Sequence, residues 1–252
     1  MDFSFSDEQT LLADSVEKFV QNDYSFEARR SITETDAGFS ADNWRIFAEL
    51  GWLGVPFPEE DGGFGGRAVD TMILMEQFGK GLVVEPYLAS VILAGGALKV
   101  AGSAAQKEQL LGGLIDGSRQ AALAFAEPQG RFNLADLTTT ATQEGEGFRL
   151  NGYKCVVLNG PAADFFVVTA RTSGEQRDTD GVSMFVVPAD APGVSRRDYP
   201  TVDAFRASEV TFDNVTLGAE SLLGTLGEGY PVIERVIDEG ILAVGSEAVG
   251  CM

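Results

Sequence analysis

Two stretches hold most of the side chains whose types and spacing could support chemistry. The first, Leu123–Asn133, contains Glu127–Pro128 and Arg131, and the second, Asn151–Gly160, contains Lys154. The chain has no histidine and two cysteines, so a Ser-His-Asp or Cys-His triad and a histidine zinc site are excluded. The cysteines have neither metal-ligand spacing nor a disulfide framework. The remaining candidates are carboxylates, cations and main-chain groups, and we expect no metal site.

The overall charge argues against one large class of partner. The formal net charge is −20 at pH 7, whereas nucleic-acid binding requires a basic face. No apolar run approaches the roughly 20 residues that a membrane span needs. The N-terminal stretch Met1–Glu8 lacks the basic region and apolar core of a signal peptide. We therefore expect a cytoplasmic protein that binds neither nucleic acid nor a membrane.

The elements that must position these groups begin with helices over residues 1–117. Ser6 and Ser103 are each followed three positions later by a glutamine, which is the capping-box pattern, and Ser40 can cap another helix. Pro86–Val100 is predicted to be a largely apolar, buried helix that Gly95–Gly96 weakens. These signals predict an N-terminal all-α domain.

The pattern changes near Gly117 to short β-rich runs separated by turn residues. Strands are predicted over residues 121–125, 138–142, 148–150, 154–158, 165–170, 182–187, 194–197 and 209–212. Several short strands without βαβ alternation favour a barrel or sandwich over a Rossmann unit. We therefore predict a middle β domain over residues 118–225.

Helical periodicity returns after Gly218, where Tyr230, Ile233, Val236 and their neighbours form a long apolar pattern. A helix this apolar must bury its face against another element. We expect residues 226–252 to be the first helix of a C-terminal bundle whose remainder lies beyond Met252. The predicted fold class is therefore α+β, with a helical domain, a β domain and the start of a second helical domain.

The order of these motifs resembles the acyl-CoA dehydrogenase family over the whole chain. The family pattern Tyr-x-x-Thr-Glu-Pro-x-x-Gly-Ser-Asp aligns with Leu123–Asn133, and Asn-Gly-x-Lys-x-Trp-x-Thr-Asn-Gly aligns with Asn151–Gly160. The loop Pro58–Gly63 and the segments Val210–Val215 and Leu222–Tyr230 are also similar to family motifs. Together, in this spacing, they identify the chain as a member of the family.

The resemblance implies α,β-dehydrogenation of an acyl-CoA thioester with FAD. In this chemistry a carboxylate removes the α-proton while hydride leaves the β-carbon for the flavin, and donors to the thioester oxygen polarise the carbonyl. The family also implies an electron-transfer flavoprotein as a partner. The fold-making residues of the two motifs are present, but the residues that touch flavin differ.

The resemblance assigns four positions to FAD: Phe125, Ala126, Val156 and Leu158. Threonine hydroxyls are lost at Ala126 and Leu158, and the stacking tryptophan is Val156. Main-chain N–H groups at Phe125 and Ala126 remain as donors. Two lost hydrogen bonds would weaken flavin binding by about 1–3 kcal/mol in total.

Arg131 and Phe132 replace the glycine and serine of a ligand-facing turn. We therefore take both as candidate substrate contacts. The alternative for Phe132 is an aromatic residue packed in the core.

The catalytic base is the family feature that this sequence matches least well. In most members the glutamate lies in the C-terminal domain, which would be beyond Met252. In others it lies on the helix that begins that domain, at a position that aligns with Gly240, and the arginine that usually follows aligns with Ile241. Glu239 is adjacent, but one residue rotates a side chain by about 100° around a helix. We expect no catalytic base in this chain, with Glu239 as the alternative, and we take Glu247 as a solvated helix residue.

Three functions follow from these observations. The first is a catalytically incomplete subunit that binds FAD only together with a homologous acyl-CoA dehydrogenase subunit, as in complexes associated with steroid side-chain and pimeloyl-type thioesters. The second is a complete homotetrameric FAD enzyme with a divergent pocket. The third is a non-catalytic thioester-binding or interaction protein.

Overall fold

The computed structural model describes residues 4–252. Met1–Phe3, part of the stretch compared above with a signal peptide, lie outside the described residues. The α-helices are α1 (Asp7–Asp23), α2 (Phe26–Thr33), α3 (Ala41–Glu49), α4 (Ala68–Gly81), α5 (Gly96–Ala101), α6 (Ala104–Ile115) and α7 (Tyr230–Cys251). None of the helices in this part of the chain combines the length and apolar content that a membrane crossing requires.

Serine residues begin three of the helices as the sequence predicts. The Ser6 hydroxyl accepts a hydrogen bond from the main-chain N–H of Gln9, whose side chain accepts one from the main-chain N–H of Ser6. Ser103 and Gln106 repeat this arrangement before α6, and Ser40 caps α3 with its hydroxyl. Each cap satisfies donors that the first helical turn leaves free. The predicted caps are confirmed.

The helix predicted over Pro86–Val100 consists of two helices of different type. Residues Tyr87–Gly95 form a π-helix, and α5 continues directly from Gly96. Gly95 lies against an aromatic ring, since a Cβ at this position would be 2.6 Å from Cζ of Phe57. The change of helix type therefore falls at the predicted weak point.

The β unit is one mixed sheet, eight-stranded within residues 4–252. Its strands are β1 (Ala121–Ala124), β2 (Thr140–Glu144), β3 (Gly147–Leu158), β4 (Phe165–Arg171), β5 (Val182–Pro188), β6 (Val194–Pro200), β7 (Arg206–Leu217) and β8 (Leu222–Leu223). The order is β6-β7-β3-β2-β4-β5-β8, and β1 also pairs with β4. β1 and β2 run parallel to β4, and the other pairs are antiparallel. The two strands predicted at 148–150 and 154–158 are one continuous β3.

Two hydrophobic cores lie on the two faces of this sheet, and β4 contributes to both. Phe165 and Val167 pack into the core shared with the helices. Phe166 and Val168 belong to a second core on the other face, where the rings of Phe166 and Phe212 are 6.5 Å apart. The alternation follows from the two-residue period of a strand. The predicted α+β class is confirmed, whereas the boundaries at 117/118 and 225/226, which fall between α6 and β1 and between β8 and α7, remain a prediction.

Helices α4 and α7 pack with their main chains in close contact. A Cβ on Gly79 of α4 would overlap the carbonyl oxygen of Glu247, and a Cβ on Gly250 of α7 would overlap that of Glu76. Gly245, on another side of α7, has no atom within 4 Å of such a Cβ. The contact therefore requires glycine at particular positions and not throughout α7.

Gly79→Ala is expected to lower the free energy of unfolding by about 1–3 kcal/mol, because the added methyl group forces two helix backbones apart. The matched control Gly245→Ala adds the same methyl group in open space and is expected to raise stability by up to about 1 kcal/mol. Urea unfolding of both variants measures the difference. Similar effects of the two substitutions would contradict the close helix contact.

Candidate functional site

The two motif segments lie side by side at the end of β1. The main-chain N–H of Cys155, in β3, donates a 2.9 Å hydrogen bond to the carbonyl oxygen of Ala126. This bond places Ala126 next to the part of β3 that carries Val156 and Leu158. The sequence-predicted cofactor positions are therefore neighbours in space.

A buried ion pair lies beneath these segments. Nζ of Lys154 is 2.8 Å from Oε1 of Glu127, and neither side chain is exposed to solvent. The same ammonium group donates to Oγ1 of Thr169 at 3.1 Å and to the carbonyl oxygen of Phe125 at 3.3 Å. Its three donors are all used, as a buried charge requires.

The Glu127 carboxylate is equally well satisfied. Oε2 accepts hydrogen bonds from the main-chain N–H of Thr138 at 2.7 Å, from the Thr138 hydroxyl at 2.5 Å and from the Gln129 amide at 2.8 Å. Oε1 also accepts from the main-chain N–H of Thr139 at 3.1 Å. One carboxylate thus connects the turn after β1 to the segment that leads into β2.

Both members of this pair have shifted pKa values. Burial lowers the pKa of Lys154 to about 8, and the opposing attraction of Glu127 only partly offsets that effect. Burial would by itself raise the pKa of Glu127, but Lys154 and the hydrogen bonds from Thr138 outweigh it and lower this pKa to about 2. Glu127 is therefore ionised at neutral pH, and Lys154 is largely protonated.

The other shared motif residues also have structural roles. Gly152 has φ 155°, and a Cβ there would be 2.6 Å from Cα of Thr139. Asn159 has φ 61° and its side-chain amide donates to Oε1 of Gln120 at 3.1 Å. A Cβ on Gly160 would be 2.6 Å from Cβ of Ser208. Each of these residues fits a position that a larger side chain would disturb.

The four predicted cofactor positions line one cavity of about 190 Å³. Its walls are formed by Ala89, Leu93, Leu123, Phe125, Ala126, Val156 and Leu158. None of these side chains carries a hydrogen-bonding group. The polar groups that remain along this wall belong to the main chain.

Val156 is presented to this cavity by an irregularity in β3. The register between β3 and β7 shifts between Lys154 and Val157, as in a β-bulge. Val156 has φ 50°, a conformation that β-branched residues seldom adopt, and it is 52% exposed. The fold therefore maintains a strained backbone at the position where the family has its stacking tryptophan.

The two predicted substrate positions lie elsewhere. Arg131 has φ 49°, in the left-handed region that favours the glycine of the family motif. Phe132 is 100% exposed, so the alternative that it packs in the core is wrong. Neither residue lines the 190 Å³ cavity. A role for them in substrate binding stays a prediction.

Glu239 does not line that cavity, and its carboxylate pairs with two cations. Its carboxylate is 3.0 Å from Nζ of Lys99 and 3.4 Å from Nε of Arg235. Gly240, at the family's base position, faces Leu93, because a Cβ there would be 2.7 Å from Cδ2 of that residue. Ile241 is 65% exposed on α7. A carboxylate does not occur at the aligned base position, and Glu239 is engaged in ion pairs.

A second cavity, of about 340 Å³, adjoins the first and was not predicted from the sequence. Ala89 and Leu158 line both cavities, and Glu85 and Glu247 line the larger one. Glu247 is half-buried, so the prediction of a solvated helix residue is wrong. Burial, and secondarily the charge of Asp203, raises the pKa of Glu247. Its seven-residue spacing from Gly240, which places both on one face of α7, was the signal available in the sequence.

Glu85 is the other carboxylate that sequence reasoning missed. It is buried and accepts hydrogen bonds from the Tyr24 hydroxyl at 2.8 Å, the Asn43 amide at 2.9 Å and the main-chain N–H of Ser40 at 3.3 Å. Burial raises its pKa despite these bonds. A carboxylate inside the apolar run Leu82–Leu88 was the available signal. Its contacts join α1, α3 and the start of the π-helix.

Among residues 4–252, no group of three or more carboxylate or thiol side chains is placed to hold a metal ion. Cys155 and Cys251 are both free thiols. The arrangement instead offers two adjoining, mainly apolar cavities and a rigid main chain around the smaller one.

Comparison with known proteins places these features in context. Sequence models of the acyl-CoA dehydrogenase N-terminal domain and of the acyl-CoA dehydrogenase middle domain match residues 6–118 and 122–215. The short-chain specific acyl-CoA dehydrogenase of Clostridium acetobutylicum is 28% identical over 258 residues. The alignment covers 99% of this chain and 66% of that relative, so the chain spans slightly less than two thirds of its length.

Solved structures show the same similarity. The butyryl-CoA dehydrogenase of Megasphaera elsdenii superposes with a TM-score of 0.88 at 26% identity, over 99% of this chain and 67% of that one. A chain of the ChsE4–ChsE5 complex from Mycobacterium tuberculosis superposes with a TM-score of 0.87 at 26% identity, over 99% and 65% of the two chains.

Glu127→Gln tests the buried ion pair. The substitution is expected to lower the free energy of unfolding at neutral pH by about 3–5 kcal/mol, because it leaves the Lys154 charge buried without its partner. The pKa of Glu127 is lowered from 4.5 to about 2, so its contribution is complete above the unfolded value and is lost as pH falls towards 2. Urea unfolding between neutral pH and pH 2 should show the wild-type advantage shrinking below pH 4.5.

Glu144→Gln provides the matched control in the same sheet. Glu144 pairs with Arg149 at 2.6 Å on the surface, where solvent screens the attraction, so a much smaller loss is expected. Equal losses for the two variants at neutral pH, or a Glu127→Gln effect that does not change with pH, would contradict the proposed role of the pair.

Proposed function

Because the chain belongs to the acyl-CoA dehydrogenase family, we propose that it takes part in the FAD-dependent α,β-dehydrogenation of an acyl-CoA thioester as a catalytically incomplete subunit. A homologous subunit would supply the missing flavin contacts and the base. An electron-transfer flavoprotein would accept the electrons. The residues of the middle sheet then serve as one wall of a site that the partner completes.

The observation that carries this proposal is the contrast between the two sides of the motif segments. Below the segments, Glu127 and Lys154 have every hydrogen-bonding group satisfied. Above them, the cavity at Phe125, Ala126, Val156 and Leu158 offers no side-chain donor or acceptor. A family that binds a polar flavin edge needs such groups. The residues that stabilise the fold are therefore present, whereas side chains that could hydrogen-bond to a flavin are absent from the cavity wall.

The side chains of this chain alone do not fit a complete flavin site. Ala126 and Leu158 cannot supply hydroxyls, and a cavity of about 190 Å³ is below the roughly 300 Å³ at which ligand pockets usually begin. Gly240, at the one family base position that falls within this chain, cannot accept the α-proton. These features favour a shared site over a complete homotetrameric enzyme with a divergent pocket.

A similar assembly occurs among the structural relatives, since the ChsE4–ChsE5 structure is a complex of two different chains. A cytoplasmic location belongs to the same proposal. Both cysteines are free, which is typical of a reducing compartment.

Expression of the full-length protein alone, and together with a homologous acyl-CoA dehydrogenase subunit, tests this proposal through the visible spectrum. Bound flavin absorbs at about 450 nm, and reduction by an acyl-CoA thioester bleaches that band. We expect a colourless protein from the single chain and a yellow, thioester-bleached complex from the pair. The homologous subunit expressed alone is the matched control.

Two other outcomes of the spectral measurement would contradict the incomplete-subunit proposal. A stoichiometric flavin band from the single chain would contradict the incomplete-subunit proposal and support a homotetrameric enzyme. Colourless preparations with and without the partner would contradict flavin chemistry and leave a thioester-binding protein.

A further inference from the structure

The larger cavity, of about 340 Å³, lies where the helical part of the chain meets the β sheet. Its apolar wall includes Met75 and Phe78 of α4, Leu88 of the π-helix and Val244 of α7. This volume is within the range of small-molecule pockets, which are mostly apolar with a few polar groups that fix orientation. The polar groups of this cavity should therefore indicate what it accepts.

The cavity extends away from the predicted flavin positions along α7. Ala89 and Leu158 line both cavities and mark their junction. On α7, Gly240 faces Leu93 of the smaller cavity, and Glu247 follows seven residues later on the same face. Seven residues of helix span about 10 Å. Glu247 therefore lies at the end of the larger cavity that is remote from the flavin positions.

Three of the four charged residues that line the larger cavity are acidic. Glu247 and Asp203 both line it, and Asp203 accepts a hydrogen bond from the Thr201 hydroxyl. The charge of Asp203 acts on Glu247 in the direction that disfavours a second negative charge. An additional carboxylate brought to this point by a ligand would meet the same repulsion.

Arg206 lines the cavity but is not free to bind such a carboxylate. Its Nη2 group donates to the carbonyl oxygens of Thr33 and Thr35, and its Nε to that of Asp36. Its Nη1 group donates to the carbonyl oxygens of Ala204 and Phe205. All five donors of a guanidinium group are accounted for. Arg206 thus fastens the sheet to the end of α2.

Glu85 is also committed to protein contacts. Its three hydrogen-bond donors come from Tyr24, Asn43 and Ser40. Glu247 differs from it, because it lines the cavity at a half-buried position and experiences the negative charge of Asp203. It is the acidic side chain best placed to meet a ligand.

We propose that Glu247 selects acyl chains whose far end carries a hydrogen-bond donor, a hydroxyl or an amine, and rejects chains that end in a carboxylate. The inference rests on the proposed function, since it takes the larger cavity as the site of the acyl chain of a thioester whose reacting end lies at the flavin positions. It narrows the substrate class to acyl groups long enough to reach about 10 Å beyond the flavin positions. Of the steroid-type and pimeloyl-type thioesters named above, the inference excludes the pimeloyl type, whose acyl chain ends in a carboxylate.

Binding of four thioesters of equal chain length tests this selection: octanoyl-CoA, ω-hydroxyoctanoyl-CoA, ω-aminooctanoyl-CoA and suberyl-CoA. Isothermal titration of the full-length protein, alone and in complex with its homologous subunit, measures affinity without requiring turnover. We expect the hydroxy and amino thioesters to bind about tenfold or more tightly than suberyl-CoA, as a hydrogen bond to a charged group can provide.

Two variants and a control identify the residue responsible. Glu247→Leu is expected to abolish the preference for donor end groups, and Glu247→Gln to relieve the rejection of suberyl-CoA while retaining a hydrogen bond. Asp238→Asn removes an exposed carboxylate from the same helix and is expected to leave the ranking unchanged. Circular dichroism confirms that each variant is folded.

The outcomes separate this inference from the proposed function. Flavin reduction by all four thioesters at similar affinity would overturn the selection by Glu247 and leave the dehydrogenation proposal intact. Ranked binding without flavin reduction would support the selection and contradict the dehydrogenation. Tight binding of suberyl-CoA, or no binding of any thioester to the protein or its complex, would overturn the selection.

Discussion

The buried ion pair between Glu127 and Lys154 is the interaction on which the rest of the site depends. Two charges without solvent contact are tolerated only when every donor and acceptor is satisfied, because an unpaired buried charge is strongly destabilising. The structure meets this condition with bonds to Phe125, Thr138 and Thr169. These contacts come from the turn after β1, the segment before β2, and the strands β3 and β4. Four separate parts of the chain are thereby held in one arrangement.

The ion pair constrains the side of the motif segments that faces Glu127 and Lys154. The side chains that face the 190 Å³ cavity are not constrained by it. Ala126 is fixed through its carbonyl oxygen, which accepts from Cys155, and that bond does not depend on the side chain. Leu158 and Val156 likewise face a cavity rather than the ion pair. Apolar side chains can therefore occupy these positions while the fold is retained. The fold of the family is therefore compatible with apolar side chains at the positions that we propose lie against flavin.

Much of the fold was readable from the sequence because the signals were local. Ser6, Ser40 and Ser103 predicted helix starts, and each of these caps is present. The split of β3 was wrong because Gly152, between the two predicted strands, lies within the continuous strand at φ 155°. The π-helix at Tyr87–Gly95 was missed because a continuous apolar run does not reveal its period.

The larger cavity could not be predicted for a different reason. Its walls come from α4, the π-helix, α7 and the loop that carries Asp203, and no local sequence pattern predicts that these distant segments line one cavity. We infer above that the side chains at Ala126 and Leu158 make this chain's contribution to a shared flavin site weak. Titration of FAD into the complex with the homologous subunit tests this inference directly, with wild type, Ala126→Thr/Leu158→Thr and the exposed control Val202→Thr compared. We expect the complex of the double variant to bind FAD more tightly by about 1–3 kcal/mol, or roughly five- to 150-fold. Unchanged affinity in the folded double variant would contradict it.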